Sequence, residues 1–248
     1  MTEIPHYPNA PIVEAIFDIQ VTLSETFTQD EFAECAKRVV GEDYPTWGSL
    51  GFQNIEFTQD AEKFNVRANA DWVGCEFKNS SQNQVVRIRK DGISFHRLHP
   101  YTSYDELVAE VQALWKGFLA QLPLKAITKL SLRFVNKINL PAGTKIGELS
   151  EYVKVVPHVA LPSEADIQNL LSRVHIKEKS TGNNAHVSFS SIQKDKNLLG
   201  ILLDIEAWND MGSSAESDEI WNRFLSLRDL KNRLFTGSLE DQCLGLFK

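Results

Sequence analysis

The sequence predicts an α+β fold, with a large, mainly antiparallel curved sheet in two pseudo-repeated halves and two long helices packed on one side of it. Residues 126–141 alternate between apolar and polar side chains, the period of a strand with one buried face. Residues 85–98 alternate around Asp91-Gly92, the preferred pair for a two-residue type I′ hairpin turn. Apolar stripes at helical spacing predict helices at 103–122 and 216–235.

Length and composition are those of an ordinary globular protein. The chain has 248 residues, of which 42% are hydrophobic and 24% are charged. We expect one domain over residues 1–248, with pseudo-repeats at 11–125 and 126–248. No apolar run approaches the roughly 20 residues of a membrane-spanning helix, and the first residues lack a signal-peptide pattern. These features predict a cytoplasmic protein without a membrane partner.

Charge and cysteine content narrow the range of partners. The formal net charge of −7 opposes general nucleic-acid binding, because contact with phosphates is driven by cationic side chains. Cys35, Cys75 and Cys243 are scattered and odd in number, so we expect reduced thiols and no disulfide framework. His96 and His99 fall on opposite faces of a strand, a spacing unsuited to a metal. We predict neither a metal site nor a cofactor.

The first half reads as a strand, a helix, several strands and a long helix. A strand starts at residue 11, and a capping box between Thr28 and Glu31 predicts a helix that follows it. A second capping box, between Ser103 and Glu106, starts the long helix. Between the two helices we expect a loop at 42–50, short strands at 51–58, 63–70 and 71–78, and a flexible tip at 78–84.

The 85–98 hairpin fixes which side chains share a face. If Asp91 and Gly92 form the turn, Ile88 faces Phe95 on the core side and Arg87 faces His96 on the other. Arg87, Arg89 and His96 then lie together on the face that points away from the core.

The second half follows the same order. After the 126–141 strand we expect a short helix at 146–152, a loop at 155–163 and a meander of strands at 167–177, 185–192 and 198–208. A loop at 209–214, the second long helix and a short helix at 238–247 complete the prediction. Val13 aligns with Leu130, and Leu107 with Ile220, at nearly the same offset, which indicates an internal duplication.

Five segments spread along the chain carry a resemblance to a known family. They are NAPIVEAIFDIQV, the Lys-Asp-Gly hairpin running into HPYTSYDEL, RFVNKINLP, LLDIEAW and the closing KNRLFTGSL. In this order they resemble a sporadically distributed bacterial family of uncharacterised proteins of about 250 residues. The resemblance implies a bacterial source and a fold, and it brings no catalytic residue with it.

The polar face of the predicted sheet supplies the candidate site. If the first and central strands are neighbours, Glu14 and Asp18 meet Arg133 and nearby lysines. Arg87, Arg89 and His96 extend this surface, and clustered guanidinium groups suit a phosphate or a carboxylate ligand. The alternative is a solvated sheet face whose charges pair across strands.

A second set of charged residues lies on the meander. Arg173, His175 and Lys177 alternate on one predicted strand, and Asp204 and Glu206 alternate on another, where we expect cross-strand pairs. Trp208, predicted at a strand end, is a candidate interface anchor.

Two classes of function follow from these patterns. Nucleophile and phosphate-loop motifs are absent from the sequence, which favours a non-catalytic binding or adaptor protein of a bacterial cytoplasmic system. Its partner is a protein or a small anionic ligand. The alternative is a hydrolase or phosphotransfer enzyme in which Arg87, Arg89 and Arg133 hold an anion, and Glu14 or Asp18 binds a metal or acts as a base.

Overall fold

The structure, a computed structural model, describes residues 7–60, 63–154, 167–195, 198–211 and 217–248. These residues form an α+β fold around an open antiparallel sheet of nine strands. The strands are β1 (Ile12–Leu23), β2 (Thr46–Asp60), β3 (Lys63–Lys78), β4 (Gln84–Arg89), β5 (Gly92–Leu98), β6 (Leu124–Asn139), β7 (Leu171–Lys177), β8 (Asn184–Asp195) and β9 (Leu198–Asp210). The helices are α1 (Gln29–Val40), α2 (Tyr104–Gln121), α3 (Ser217–Ser238) and α4 (Asp241–Gly245). The strand order is β2-β3-β4-β5-β1-β6-β9-β8-β7.

The chain divides into two compact units. The meander unit comprises Met1–Phe17, Leu98–Tyr101 and Lys129–Lys248, and the hairpin unit comprises Asp18–Arg97 and Thr102–Thr128. The chain therefore changes unit four times: within β1, at the end of β5, just before α2 and within β6. The expectation of a single domain stays a prediction.

Helices of the hairpin unit begin where the capping boxes predict. Thr28 Oγ1 accepts a hydrogen bond from the Glu31 amide at 3.4 Å, and the Glu31 carboxylate accepts one from the Thr28 amide at 3.0 Å. Ser103 Oγ accepts from the Glu106 amide at 3.2 Å at the start of α2. α1 packs against α2 and β3. The buried stripe of α2 comprises Leu107, Val111, Leu114, Trp115 and Phe118.

Strands β2 and β3 are longer than the sequence suggested. β2 starts at Thr46, so the predicted loop at 42–50 is wrong from that residue onwards, and residues 63–78 form one strand where two were expected. Trp47 is opposite Phe77 and stacks on its ring at 6.4 Å, a cross-strand pair that stabilises the extended backbone.

The hairpin of β4 and β5 has a different turn from the predicted one. Lys90 and Asp91 occupy the turn, and Arg89 pairs with Gly92. Among the described non-glycine residues only Gln82 has a positive φ, so the predicted type I′ turn is wrong. Gly92 does have a positive φ, +146°, and a Cβ there would overlap the carbonyl oxygen of Ile19 on β1. Close approach of a neighbouring strand, and not the turn, is what requires this glycine.

The meander unit buries one face of its strands under α3. Leu132 and Phe134 of β6, Val187 and Phe189 of β8, and Leu203 and Ile205 of β9 are buried. The stripe of α3 that covers the core comprises Ile220, Phe224, Leu227 and Leu230. Phe224 meets Phe17 of β1 with 5.2 Å between ring centroids. Fully burying each such side chain contributes about 1.5–3 kcal/mol.

Several boundaries in the second half are also corrected. Residues 167–170 precede β7 and do not belong to the predicted strand, and β9 extends two residues past the predicted end, to Asp210. A short 3-10 helix, Ile146–Glu151, occupies the predicted helix at 146–152. The loop predicted at 155–163 and part of the one predicted at 209–214 lie outside the described residues. None of the described helices combines the length and the apolar character needed to cross a membrane.

Both halves of the sequence use the same order of strand neighbours. In the first half β1 lies beside β5, and the sheet continues backwards along the chain through β4 and β3 to β2. In the second half β6 lies beside β9, and the sheet continues through β8 to β7. This shared order agrees with a duplication, which stays a prediction.

Candidate functional site

The six residues predicted to form one charged surface belong to two units. Asp18, Arg87, Arg89 and His96 belong to the hairpin unit, while Glu14 and Arg133 belong to the meander unit. The prediction that all six share one surface therefore stays a prediction, and each unit is described separately.

Arg89 is the centre of an ion-pair cluster in the hairpin unit. Its Nη2 lies 2.9 Å from Asp18 Oδ2, its Nε lies 2.9 Å from Asp91 Oδ1, and its Nη1 donates to Ser94 Oγ at 3.1 Å. Burial disfavours the charged form of Arg89 and acts to lower its pKa. The two carboxylates have the larger combined effect, so the pKa of this guanidinium is raised. Two acidic partners leave Arg89 little capacity for an outside anion.

Arg87, Arg89 and His96 lie on the same face of the hairpin, as predicted, but Arg87 and His96 are not directly opposite each other. Arg87 pairs with Ser94, and His96 pairs with Val85, so the predicted contact between the arginine and the histidine is wrong. Arg87 Nε bonds to Glu76 at 2.8 Å. His96 is only 6% exposed, with its Nε2 3.0 Å from Ser94 Oγ. A buried imidazole cannot extend a cationic surface.

The polar face of the meander unit is organised in three rows that run across the strands. The first row is Asp204, Ser188 and Arg173, the second is Arg133, Glu206, His186 and His175, and the third is Ser131, Trp208, Asn184 and Lys177. Directly opposed residues point to the same side of a sheet, so these side chains share one face. A cavity of about 180 Å³ opens among Arg133, Arg173, His186, Ser188, Asp204 and Glu206. We call these six residues the polar pocket.

One edge of the polar pocket is a bidentate ion pair. Arg133 Nε and Nη2 donate to the two oxygens of Asp204 at 2.8 and 2.7 Å. This hydrogen bonding, together with the negative charges of Glu206 and Glu14, raises the pKa of Arg133. Glu14 thus acts on Arg133 through its charge, as the sequence predicted, but the direct partner of the arginine is Asp204.

Glu206 and Trp208 form the next part of the face. Glu206 Oε1 accepts hydrogen bonds from Ser131 Oγ at 3.1 Å and from Lys129 Nζ at 3.4 Å. The Lys129 ammonium also lies 4.9 Å from the centroid of the Trp208 ring. His175 stacks on Trp208 with 5.3 Å between centroids and 12° between planes. The result is an aromatic platform beside the polar pocket.

Arg173 and His186 form the third part. Arg173 Nη2 lies 2.7 Å from His186 Nδ1. A guanidinium can only donate, so Nδ1 must accept, and the imidazole is neutral with its proton on Nε2. Burial and the charge of Arg173 lower the pKa of His186, in agreement with a neutral ring. In the described part of the chain no carboxylate lies within ion-pair distance of Arg173, which is exposed.

A second, larger cavity lies beside α3. It measures about 410 Å³ and is lined by Thr181, Asn183, Glu219, Asn222, Arg223 and Ser226. Arg223 bonds to Glu219 at 2.8 Å and to Asn209 at 2.9 Å, and Asn209 donates to Asn183 at 3.0 Å. Its polar groups therefore satisfy one another, and the polar pocket is the stronger candidate site.

Sequence patterns predicted the strands that carry this site, but they did not predict the residue at its centre, His186. Arg173, Asp204 and Glu206 were expected to pair across strands, and the two carboxylates do so, although with Arg133 and Lys129 of β6. His186 was not singled out. Alternation along β8 places His186 and Ser188 on the polar face, and only the register places His186 against Arg173 and Glu206.

Comparison with protein-family models and with curated proteins identified no relative of this chain. Within the described ranges, no group of three or more His, Cys, Asp or Glu residues is arranged to hold a metal ion.

Proposed function

We propose that this chain is a non-catalytic binding or adaptor protein, and that its polar pocket receives an anionic group from a partner protein or a small ligand. The main support for this proposal is the environment of Arg173. Its exposed guanidinium bonds to a neutral imidazole 2.7 Å away and to no described carboxylate. Its positive charge is therefore available to a ligand, whereas Arg133 and Arg89 already bond to aspartates. Guanidinium groups bind carboxylates and phosphates through paired hydrogen bonds.

The hydrogen bonds of the pocket favour recognition over proton transfer. Both oxygens of Asp204 accept from Arg133, and Glu206 accepts from Ser131 and Lys129. His186 Nδ1 is occupied by Arg173. A general base must be directed at the proton that it removes, whereas these side chains are directed at one another. The alternative enzyme is weakened further because Arg89 and Asp18, expected to hold an anion and to act as base or metal ligand, bond to each other.

The source and the compartment belong to the same proposal. The resemblance to a bacterial family supports a bacterial source, and the shared order of strand neighbours in the two halves supports a duplicated origin. Three free cysteines support a reducing, cytoplasmic setting. Burial raises the pKa of the Cys243 thiol to about 12 and also raises that of Cys75, so neither is a ready nucleophile.

An anion titration tests the proposal. Citrate or inorganic phosphate, added at constant ionic strength, should shift the imidazole NMR resonances of His186 and His175 in a saturable manner. Arg173→Gln should abolish these shifts, because the available guanidinium is gone. Arg38→Gln is the matched control, since it removes an exposed arginine on α1 of the hairpin unit. Equal shifts in the Arg173→Gln variant would contradict the proposal.

A further inference from the structure

We infer that the partner of this site is an extended acidic peptide segment that adds to the sheet as a new strand along the outer edge of β7. This inference rests on the proposed function and names the partner class for the same site. β7 is the last strand in the sheet order, and within the described ranges no strand pairs with its outer side. Peptides commonly bind open sheet edges in this way, with backbone hydrogen bonds for affinity and side chains for specificity.

The hydrogen bonds at both ends of β7 show which residues face outwards. Leu170 accepts from the Ser191 amide at 2.9 Å, and the Glu178 amide donates to Asn183 at 2.8 Å. Hydrogen-bonded pairs alternate along an antiparallel ladder, so the even-numbered residues from 170 to 178 direct their backbone groups at β8. The odd-numbered residues direct their N–H and C=O groups towards the open edge; they are Leu171, Arg173, His175 and Lys177.

Two of these residues, Arg173 and Lys177, carry positive charge on the polar face. Arg173, His175 and Lys177 are all exposed, and they are directly opposite Ser188, His186 and Asn184. The acidic residues of that face, Asp204 and Glu206, lie on β9, two strands inwards, and bond to groups on β6. A strand added outside β7 would place alternate side chains beside the three basic residues. Glutamate or aspartate at those alternate positions supplies the complementary charge.

Val174 lies between Arg173 and His175 on β7, so it faces the residue between two acidic ones of an added strand. Val174 is 40% exposed on the opposite face, which suits an apolar residue between two acidic ones. Leu171, at the start of the strand, is 77% exposed. Proteins often protect an open edge with proline or with charged side chains. The sequence of β7 has no proline, and its charged residues, Arg173 and Lys177, are the ones that would pair with an acidic segment.

A second copy of this chain is a poorer occupant of the edge. Pairing β7 with β7 of another copy would place Arg173, His175 and Lys177 opposite the same three residue types. Like charges directly opposite each other destabilise a strand pair. Charge complementarity therefore favours an acidic segment of a different protein.

Fluorescence anisotropy with labelled peptides tests this inference. The probe is a seven-residue peptide that alternates glutamate and valine. The comparison peptides replace glutamate with glutamine or lysine, or carry N-methyl groups on alternate backbone nitrogens of one edge. We expect saturable binding of the acidic peptide and at least tenfold weaker binding of the glutamine and lysine peptides. N-methyl groups are tried on each edge in turn, and they should weaken binding at least tenfold on the edge that pairs with β7 and leave it unchanged on the other.

Two protein variants test separately how the backbone hydrogen bonds of β7 and the charge of Arg173 contribute to peptide binding. Leu171→Pro removes a backbone N–H that points to the open edge. It disrupts no hydrogen bond to β8 and removes no buried side chain. It should therefore weaken binding about tenfold and leave the melting temperature unchanged. Arg173→Glu should abolish binding. Arg38→Glu, at an exposed position on α1, is the charge-matched control and should bind normally. If Leu171→Pro unfolds the protein, the N-methylated peptides provide the same comparison on the unaltered chain.

Each outcome decides between the two proposals. If Arg173→Glu abolishes binding while Leu171→Pro and the N-methylated peptides bind normally, strand addition is overturned and the anion site stands. If Arg173→Glu binds normally, both proposals fail. Sedimentation that shows a dimer, dissociated by Leu171→Pro, would identify a second copy as the occupant and overturn the inference.

Discussion

Lys231 is expected to lower the stability of the protein at neutral pH, and its replacement by methionine should raise it. The residue lies on α3, is 9% exposed and has its Nζ 4.0 Å from the centroid of the Phe134 ring. Its ammonium has no carboxylate partner within ion-pair distance among the described residues. Burial, with a smaller contribution from the charge of Arg228, lowers the pKa of Lys231 from 10.5 to about 7.

The sign and size of the effect follow from proton linkage. Between about pH 7 and pH 10.5 the unfolded chain binds more protons than the folded one, so stability should rise with pH over this window. Below about pH 7 the full cost of charging a buried amine is present. At about 1.4 kcal/mol per pH unit this cost is on the order of 5 kcal/mol, and the cation–π contact offsets about 1–2 kcal/mol of it.

Urea unfolding at several pH values measures the difference. Lys231→Met, which keeps the length and apolar stem of the side chain, should be more stable than the unaltered protein by on the order of 3 kcal/mol at pH 6.5. The difference should shrink towards zero near pH 10.5. Lys116→Met, at an exposed position on α2, is the control and should change stability by less than about 0.5 kcal/mol at either pH. The reasoning is refuted if Lys231→Met and the unaltered protein differ by the same amount at both pH values.

Two further substitutions test the fold. Gly92→Ala should lower the free energy of unfolding by about 3 kcal/mol or more, because the new Cβ meets the Ile19 carbonyl at an unfavourable φ. Gly147→Ala, where the space is open, should leave it within about 0.5 kcal/mol; equal melting temperatures for the two variants would contradict the packing argument. Thr28→Ala should cost about 1 kcal/mol through loss of the capping box, and Thr28→Ser should recover most of it in thermal melts. An unchanged Thr28→Ala variant would show that the cap is not needed.

Local signals in the sequence predicted most elements of this fold. Side-chain alternation identified β1 and β6, and the capping boxes at Thr28 and Ser103 located α1 and α2. The hairpin shows where such reasoning stops. Asp91-Gly92 indicated a turn, yet Gly92 opens β5, because its backbone lies against Ile19 of another strand. A contact between residues 73 positions apart leaves no local signal in the sequence.

The candidate site was harder to predict for the same reason. Alternation shows that Arg133, His186 and Glu206 leave the buried layer, but it does not show which of them meet. The register of β6, β8 and β9 brings these three into one row. This row and Arg173 beside it line the polar pocket.

The two ends of the described chain meet within the meander unit, which has a consequence for protein synthesis. The Asn9 amide donates to the Phe247 carbonyl at 3.1 Å, and Phe17 packs on Phe224. The last residue of the hairpin unit is Thr128, so all of that unit has been synthesised before α3 is. At typical elongation rates Phe17 then waits on the order of 10 s for its partner helix.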